Sequence, residues 1–152
     1  VAEPATSYLD TSFVAPYYIV EPSSASVETF ILASAPGSLA ISEWTLVEFA
    51  SLLARKRRTS ELNAELLTRI KSRFDQDVDH RYEVLKPQSD DYLLASRLIL
   101  QDPSLGLRGP DALHLAIAAH RRLKLHTLDQ KLIQAAAAIG IPTTDANIIG
   151  EA

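Results

Sequence analysis

The sequence predicts an α/β fold, a single domain on a parallel β-sheet of about four or five strands flanked by helices. Three observations predict it. Short apolar runs alternate along the chain with longer segments whose apolar residues recur at helical spacing. The chain has 152 residues, 47% of them hydrophobic, which suits one core of ordinary size. No internal repeat, low-complexity tract or linker divides it, so residues 1–152 are read as one domain.

Thr6–Leu9 is the first strand and ends at Asp10. A turn region follows, and Pro22 suits the first turn of a helix that continues through Val27, Phe30 and Ile31. Pro36-Gly37 breaks that helix. Leu39-Ala40-Ile41 is the second strand, and Ser42 caps a helix running from Glu43 to about Arg57. A more polar helix carries Leu62, Leu66, Ile70 and Phe74. Tyr82–Leu85 is the third strand, closed by Pro87, and Ser89 caps a helix to about Gln101. Asp102-Pro103 marks its exit, and a loop Ser104–Pro110 leads into an Ala-rich helix, Asp111–Arg122. Leu123–Thr127 is the fourth strand. Lys131–Ile139 is the last helix, with Gly140 as its cap. Ile141–Thr144 is expected as a fifth strand at a sheet edge, because proline is poorly tolerated in a central one.

Composition removes several classes of function. The absence of cysteine excludes disulfides, thiol catalysis and thiolate zinc sites. No apolar run reaches the ~18 residues of a membrane span. Val1-Ala2-Glu3-Pro4 has neither the basic head nor the apolar stretch of a signal peptide, so a soluble cytoplasmic protein without membrane association is expected. Met is absent even at position 1, which fits loss of an initiator residue. The formal net charge of −4 opposes a broadly basic, nucleic-acid-coating surface. Such a charge is compatible with a polyanionic ligand only where the acids are gathered around metal ions, with basic residues beside them.

In a parallel sheet the ligand site lies off the carboxyl ends of the strands, which makes certain acids informative. Asp10 follows the first strand, with the hydroxyls of Thr11 and Ser12 beside it. Asp129 follows the fourth strand at a helix start, and Asp111 opens a helix so apolar that it must be buried nearly all round. Glu48 points away from a core stripe of Leu46, Phe49, Ala50 and Leu53, yet its i−4 and i+4 neighbours, Trp44 and Leu52, are apolar. Each acid has an ordinary explanation, a turn or helix cap for the aspartates and a surface position for Glu48. As a set they say more. Carboxylates within ~4 Å repel by about 4 kcal/mol per pair at an effective dielectric near 20, so protons or cations must sit among them. Ligands that are all oxygen favour hard ions such as Mg²⁺ or Mn²⁺.

At these residues the chain resembles a PIN-domain ribonuclease, specifically a VapC-type toxin of a bacterial toxin–antitoxin pair. The resemblance spans nearly the whole chain. It rests on Tyr8-Leu9-Asp10-Thr11-Ser12, on Glu48 within Glu43 to Ala54, on Arg108-Gly109-Pro110-Asp111-Ala112-Leu113-His114-Leu115-Ala116, and on Thr127-Leu128-Asp129. It implies a Mg²⁺- or Mn²⁺-dependent endoribonuclease whose acidic cluster is Asp10, Glu48, Asp111 and Asp129. Asp10 and Asp111 would be direct ligands, with Glu48 and Asp129 acting through water or at a second position. Ser12 and Thr127 are implied as supporting hydroxyls. The resemblance further implies metal-assisted phosphodiester hydrolysis leaving 5′-phosphate and 3′-hydroxyl ends, a homodimer, and an antitoxin whose tail blocks the site. Some relatives carry another acid just beyond the last aspartate, whereas Gln130 and Lys131 follow here.

The remaining residues admit two readings each. Arg55-Lys56-Arg57-Arg58, with Arg69, Lys71 and Arg73, forms an RNA or antitoxin surface, or simply complements helix ends and meets solvent. Arg108 braces the acids, touches phosphate or makes a structural ion pair. His114 reads as a core histidine rather than a ligand, and Phe13, Tyr17 and Tyr18 read as core aromatics. Two rivals keep the fold and change the function. One is a receiver-like signalling domain, which would want adjacent acids after the first strand and an acid after the third, where Lys86-Pro87 stands. The other is a catalytically inactive PIN-like docking module. A haloacid-type phosphatase would need an Asp where Ser12 stands.

Overall fold

Strand β1 (Ser7–Leu9) is buried between two neighbours, β2 (Leu39–Ser42) and β4 (Lys124–His126), and β3 (Tyr82–Leu85) lies beyond β2. The structure is a computed structural model that describes residues 4–144. All pairings are parallel, and the sheet order is β3-β2-β1-β4. Tyr8 lies opposite Ala40 on one side and Leu125 on the other. The segment expected as a fifth strand is reduced to one parallel bridge, Leu125 to Thr143, beside β4. Pro142, which has no N–H to give a ladder, contributes its carbonyl to Leu125 instead.

The period-two alternation of the strands sorts their side chains into two cores. Leu9, Leu39 and Ile41 pack on one face with Phe13, Phe49 and Phe74. Tyr8, Ala40 and Leu125 pack on the other with Leu115 and Leu132. Helices α1 (Thr11–Tyr18), α2 (Ser24–Ala33), α3 (Glu43–Arg58) and α4 (Ala64–His80) supply the first core. Helices α5 (Ser89–Gln101), α6 (Gly109–His120) and α7 (Gln130–Ala138) supply the second. On α6 every residue from Ala112 to Ala118 is buried, as its composition requires. The two helices α5 and α6 are clasped by Asp91, which is 1% exposed and accepts from Arg121 and His120.

Several local expectations need correction. The stretch after Asp10 is not a turn but helix α1, hidden from sequence by Pro16 inside its eight residues. Pro22 precedes α2, whose N-cap position is Ser23. Leu62 lies outside α4, which Asn63 caps, and Leu66 is exposed while Ile70 and Phe74 face the core. Ser89 is the first residue of α5 rather than its cap; Gln88 holds that position and donates its N–H to Asp91. The Ala-rich helix begins at Gly109, so Asp111 sits inside its first turn. The Ser42 cap of α3 and the left-handed Gly140 after α7 are as expected, with φ of +77° at the glycine. No helix among the described residues is long and apolar enough to cross a membrane.

Candidate active site

Asp10 leaves β1 and becomes the N-cap of α1, where its Oδ1 accepts the Phe13 N–H at 3.0 Å and the Ser12 hydroxyl at 2.7 Å. Its Oδ2 accepts the Thr127 hydroxyl at 2.5 Å. The carboxyl is 4% exposed, and burial pushes its pKa up against the opposing pull of His114, Thr127, Ser12 and the Phe13 amide. The same two hydroxyls also accept from the segment after β4. Ser12 Oγ takes the Leu128 N–H at 3.0 Å, and Thr127 Oγ1 takes the Asp129 N–H at 3.1 Å. Ser12 and Thr127 thus staple the start of α1 to the start of α7. Thr144 pins Thr127 from the other side, accepting its N–H at 2.8 Å.

Glu48 sits on the shoulder of the buried stripe of α3, which is Thr45, Phe49 and Leu53, with Ala50 exposed. The sequence reading turned Glu48 away from the core. Its Oε1 instead accepts the Thr11 hydroxyl at 2.8 Å and contacts His114 Nε2. Burial raises its pKa, but His114, the Thr11 hydroxyl and Arg108 outweigh that and hold it below the usual carboxylate range. His114 is 2% exposed and is the core histidine expected. Its Nδ1 meets Tyr8 OH at 2.6 Å, and Tyr8 OH meets Ser42 Oγ at 2.8 Å. Burial keeps Tyr8 a neutral phenol, its pKa raised despite the Ser42 and Thr45 hydroxyls.

Asp111 and Asp129 share a second hollow of about 230 Å³ with Arg108 and Lys131. Burial raises the Asp111 pKa first; Arg108 opposes it, and the charge of Asp129 raises it further. Arg108 approaches only to 3.5 Å and its side chain is 77% exposed, so it is a loose counter-ion. Asp129 caps α7, its Oδ1 accepting the N–H groups of Lys131 and Leu132. Asp129 also lines a larger cleft of about 710 Å³, together with Thr11, Ser12, Glu48, Arg55 and Arg58. The two hollows therefore meet at Asp129. Of the four acids, only Asp10 lines neither.

The expected basic run divides. Arg55 and Arg58 face the cleft, whereas Lys56 is paired with Glu61 at 2.7 Å and Arg57 is an exposed residue outside the cleft lining. Arg69 and Lys71 are paired within α4 to Glu65 and Asp75, and Arg73 lies over the Tyr17 ring. Phe13 and Tyr18 are core residues.

No group of three His, Asp or Glu side chains that could hold a metal ion is present among the described residues. A hard cation such as Mg²⁺ does not need one, because it keeps several waters and takes one or two carboxylates. The Asp111–Asp129 pair fits that demand, being composed of oxygen donors whose mutual repulsion a cation relieves. Asp10 has used three of its roughly four lone-pair sites. Sequence reasoning missed the tie from Tyr8 through His114 to Glu48 and the part played by Thr11. The nearest signal was that His114 follows Asp111 by three residues on one helix face.

A family model described as PIN domain matches residues 7–138. Among solved structures, FitAcB from Neisseria gonorrhoeae is similar at a TM-score of 0.73 and 16% identity, covering 91% of this chain and 96% of that one. VapC20 from Mycobacterium tuberculosis, described as a sarcin-ricin loop cleaving toxin, is similar at a TM-score of 0.68 and 16% identity, covering 84% and 93%. VapBC2 from Rickettsia felis, bound to a DNA fragment from its promoter, gives 0.64 and 16% identity, covering 90% and 96%. At these identities the likeness is one of fold. No curated protein sequence matches the chain.

Proposed function

Because this chain belongs to the PIN-domain family, we propose that it is a metal-dependent endoribonuclease, the toxin of a toxin–antitoxin pair. The observation that carries the reading is that Glu48, Asp111 and Asp129, from three separate segments, line two adjoining hollows that meet at Asp129, with Asp10 buried beside them and tied to that rim through Thr127. Asp111 and Asp129 are close enough there for one charge to perturb the other. Such an arrangement disfavours folding of the empty site and is expected where a cation is to be held.

Asp111 and Asp129 would hold Mg²⁺ or Mn²⁺, Glu48 would act through water, and Asp10 would ligate through its remaining lone pair or organise the rim. A bound divalent cation would supply Lewis acidity and a water acidic enough to attack phosphorus near neutral pH. The chain's own residues orient the substrate. Arg55 and Arg58, two and three turns along α3 from Glu48, offer charge to backbone phosphates flanking the cleavage point. Ser12 and Thr127 keep Asp10 and Asp129 in register. The products would be 5′-phosphate and 3′-hydroxyl ends.

The partners in this reading are RNA, a cognate antitoxin and a second copy of the chain. Leu93 and Leu100, seven residues apart on α5 and 61% and 76% exposed, give one helix face apolar area for protein contact. The deciding experiment is incubation with a mixed RNA pool and Mg²⁺ or Mn²⁺, followed by mapping of the ends. Cleavage should disappear with chelator and in Asp10→Asn. A folded, antitoxin-free wild type that cuts no RNA would favour a docking module instead.

A further inference from the structure

Resting on the nuclease reading above, we propose that His114 is a positioning residue whose Nε2–H fixes the Glu48 carboxylate at the cleft. Tyr8 and Ser42 in turn fix His114. The ring is 2% exposed and lines neither hollow, so it reaches substrate or cation only through Glu48. Both ring nitrogens are engaged, Nδ1 by Tyr8 OH at 2.6 Å and Nε2 by Glu48 Oε1.

One direction of donation uses each proton once. The Ser42 hydroxyl donates to the Tyr8 oxygen, Tyr8 O–H donates to Nδ1, and Nε2–H donates to Glu48. Tyr8 suits that role because burial keeps its proton on. The chain of bonds starts on the central strand pair, crosses from β1 to α6, and ends on α3 at the cleft. It is enclosed, with Tyr8 and Ser42 both 0% exposed.

A glutamate has among the largest rotamer freedoms of any side chain, and an unbraced Glu48 would sample many positions. Thr11 and His114 both converge on Oε1, so Oε2 is the oxygen left over for water or cation. Thr11 alone leaves the carboxylate free to swing about a single bond. His114 supplies the second point and does so from a buried, packed ring that cannot follow it.

The geometry is asymmetric, and the asymmetry supplies the test. In His114→Gln the amide nitrogen falls near the place of Nε2 and can still donate to Glu48. In His114→Asn the amide falls near Nδ1 and reaches Tyr8 only. Mn²⁺ affinity by titration calorimetry and RNA cleavage should both fall about 10–100-fold in His114→Asn, the usual loss when an outer-shell partner is removed. His114→Gln should recover most of that loss, with thermal midpoints of the two variants compared to separate folding from function. If the two variants behave alike, whether both intact or both impaired, the positioning role is overturned. Should neither variant fold, the ¹H–¹⁵N imidazole spectrum of the wild type still decides. It should show Nε2 protonated, with a signal that moves in Glu48→Gln, and an Nδ1–H tautomer or an unmoved signal overturns the proposal. A wild type that neither binds Mn²⁺ nor cuts RNA sinks the nuclease reading instead, whatever the spectrum shows.

Discussion

The Thr127 hydroxyl donates a 2.5 Å hydrogen bond to the buried carboxylate of Asp10, joining residues 117 positions apart. That bond closes the rim between β1 and β4, because the same oxygen accepts the Asp129 N–H. Thr127→Val keeps the shape and removes the hydroxyl, leaving a buried acceptor and a half-buried donor unmet. Denaturant unfolding should show a loss of about 1–3 kcal/mol with an unchanged m-value. Thr127→Ser should retain most of the stability, and equal stability of all three chains would show that the staple contributes nothing.

Asp10 is held against its own desolvation. Its folded pKa is raised above the unfolded value, chiefly by burial. Its stabilising contribution is therefore complete below the unfolded pKa and lost as pH rises through the folded one. In chelator, wild type should lose stability between the ordinary carboxylate range and neutral pH, and Asp10→Asn, which has no carboxyl there to ionise, should lose less while cutting no RNA. The same pH dependence in both proteins contradicts this account.

Divalent cation should stabilise the fold through Asp111 and Asp129. One-site linkage predicts about 2.7 kcal/mol when free cation is a hundred times its dissociation constant. Thermal midpoints should rise with Mg²⁺ or Mn²⁺ and return with chelator. Asp111→Asn should abolish the rise. A midpoint indifferent to both ions in the wild type would leave Asp129 as a helix cap and Asp111 as a first-turn acid only.

Arg55 and Arg58 should carry phosphate contacts that Arg69 and Lys71 do not. Replacing both cleft arginines by Ala should reduce the salt slope of single-stranded RNA binding by about 1.4, two contacts at ~0.7 each. Arg69→Ala and Lys71→Ala, which disturb only pairs within α4, should leave slope and affinity unchanged. Filter binding across a salt series separates the two groups.

The clasp between α5 and α6 depends on Asp91 being ionised. Burial raises its pKa, but Arg121, the Gln88 amide and His120 outweigh that and hold it below the usual range. Its contribution is present above the unfolded pKa and lost as pH falls through the lowered folded one. Asp91→Asn should cost about 1–3 kcal/mol, as loss of hydrogen bonds to a charged group does where the remaining partners reach solvent. RNA cleavage by the remaining folded protein should be unaffected.

Much of this is legible in the chain itself. Ser42 ahead of an apolar-periodic run announced α3, and Ala112 to Ala118 announced a helix with no solvent face. What stayed hidden followed from contacts. Helix α1 is masked because Pro16 breaks its pattern, and it is held by the Asp10 cap and by the burial of Phe13, Val14, Ala15 and Tyr18. The fifth strand shrank to a single bridge because Pro142 cannot complete a ladder.

The sequence by itself determined the alternation of strands and helices, and it put Asp10 and Asp129 after parallel strands and Asp111 in the first turn of a buried helix. Those features are local, set by periodicity, capping and composition over a few residues. Only the tertiary structure decided that Asp10 is enclosed by Ser12 and Thr127, that Glu48 leans on a histidine 66 positions away, and that Arg55 rather than Lys56 faces the cleft. A side chain's partner across the sheet depends on how the helices pack, and packing sums many weak contacts that no short stretch of chain encodes.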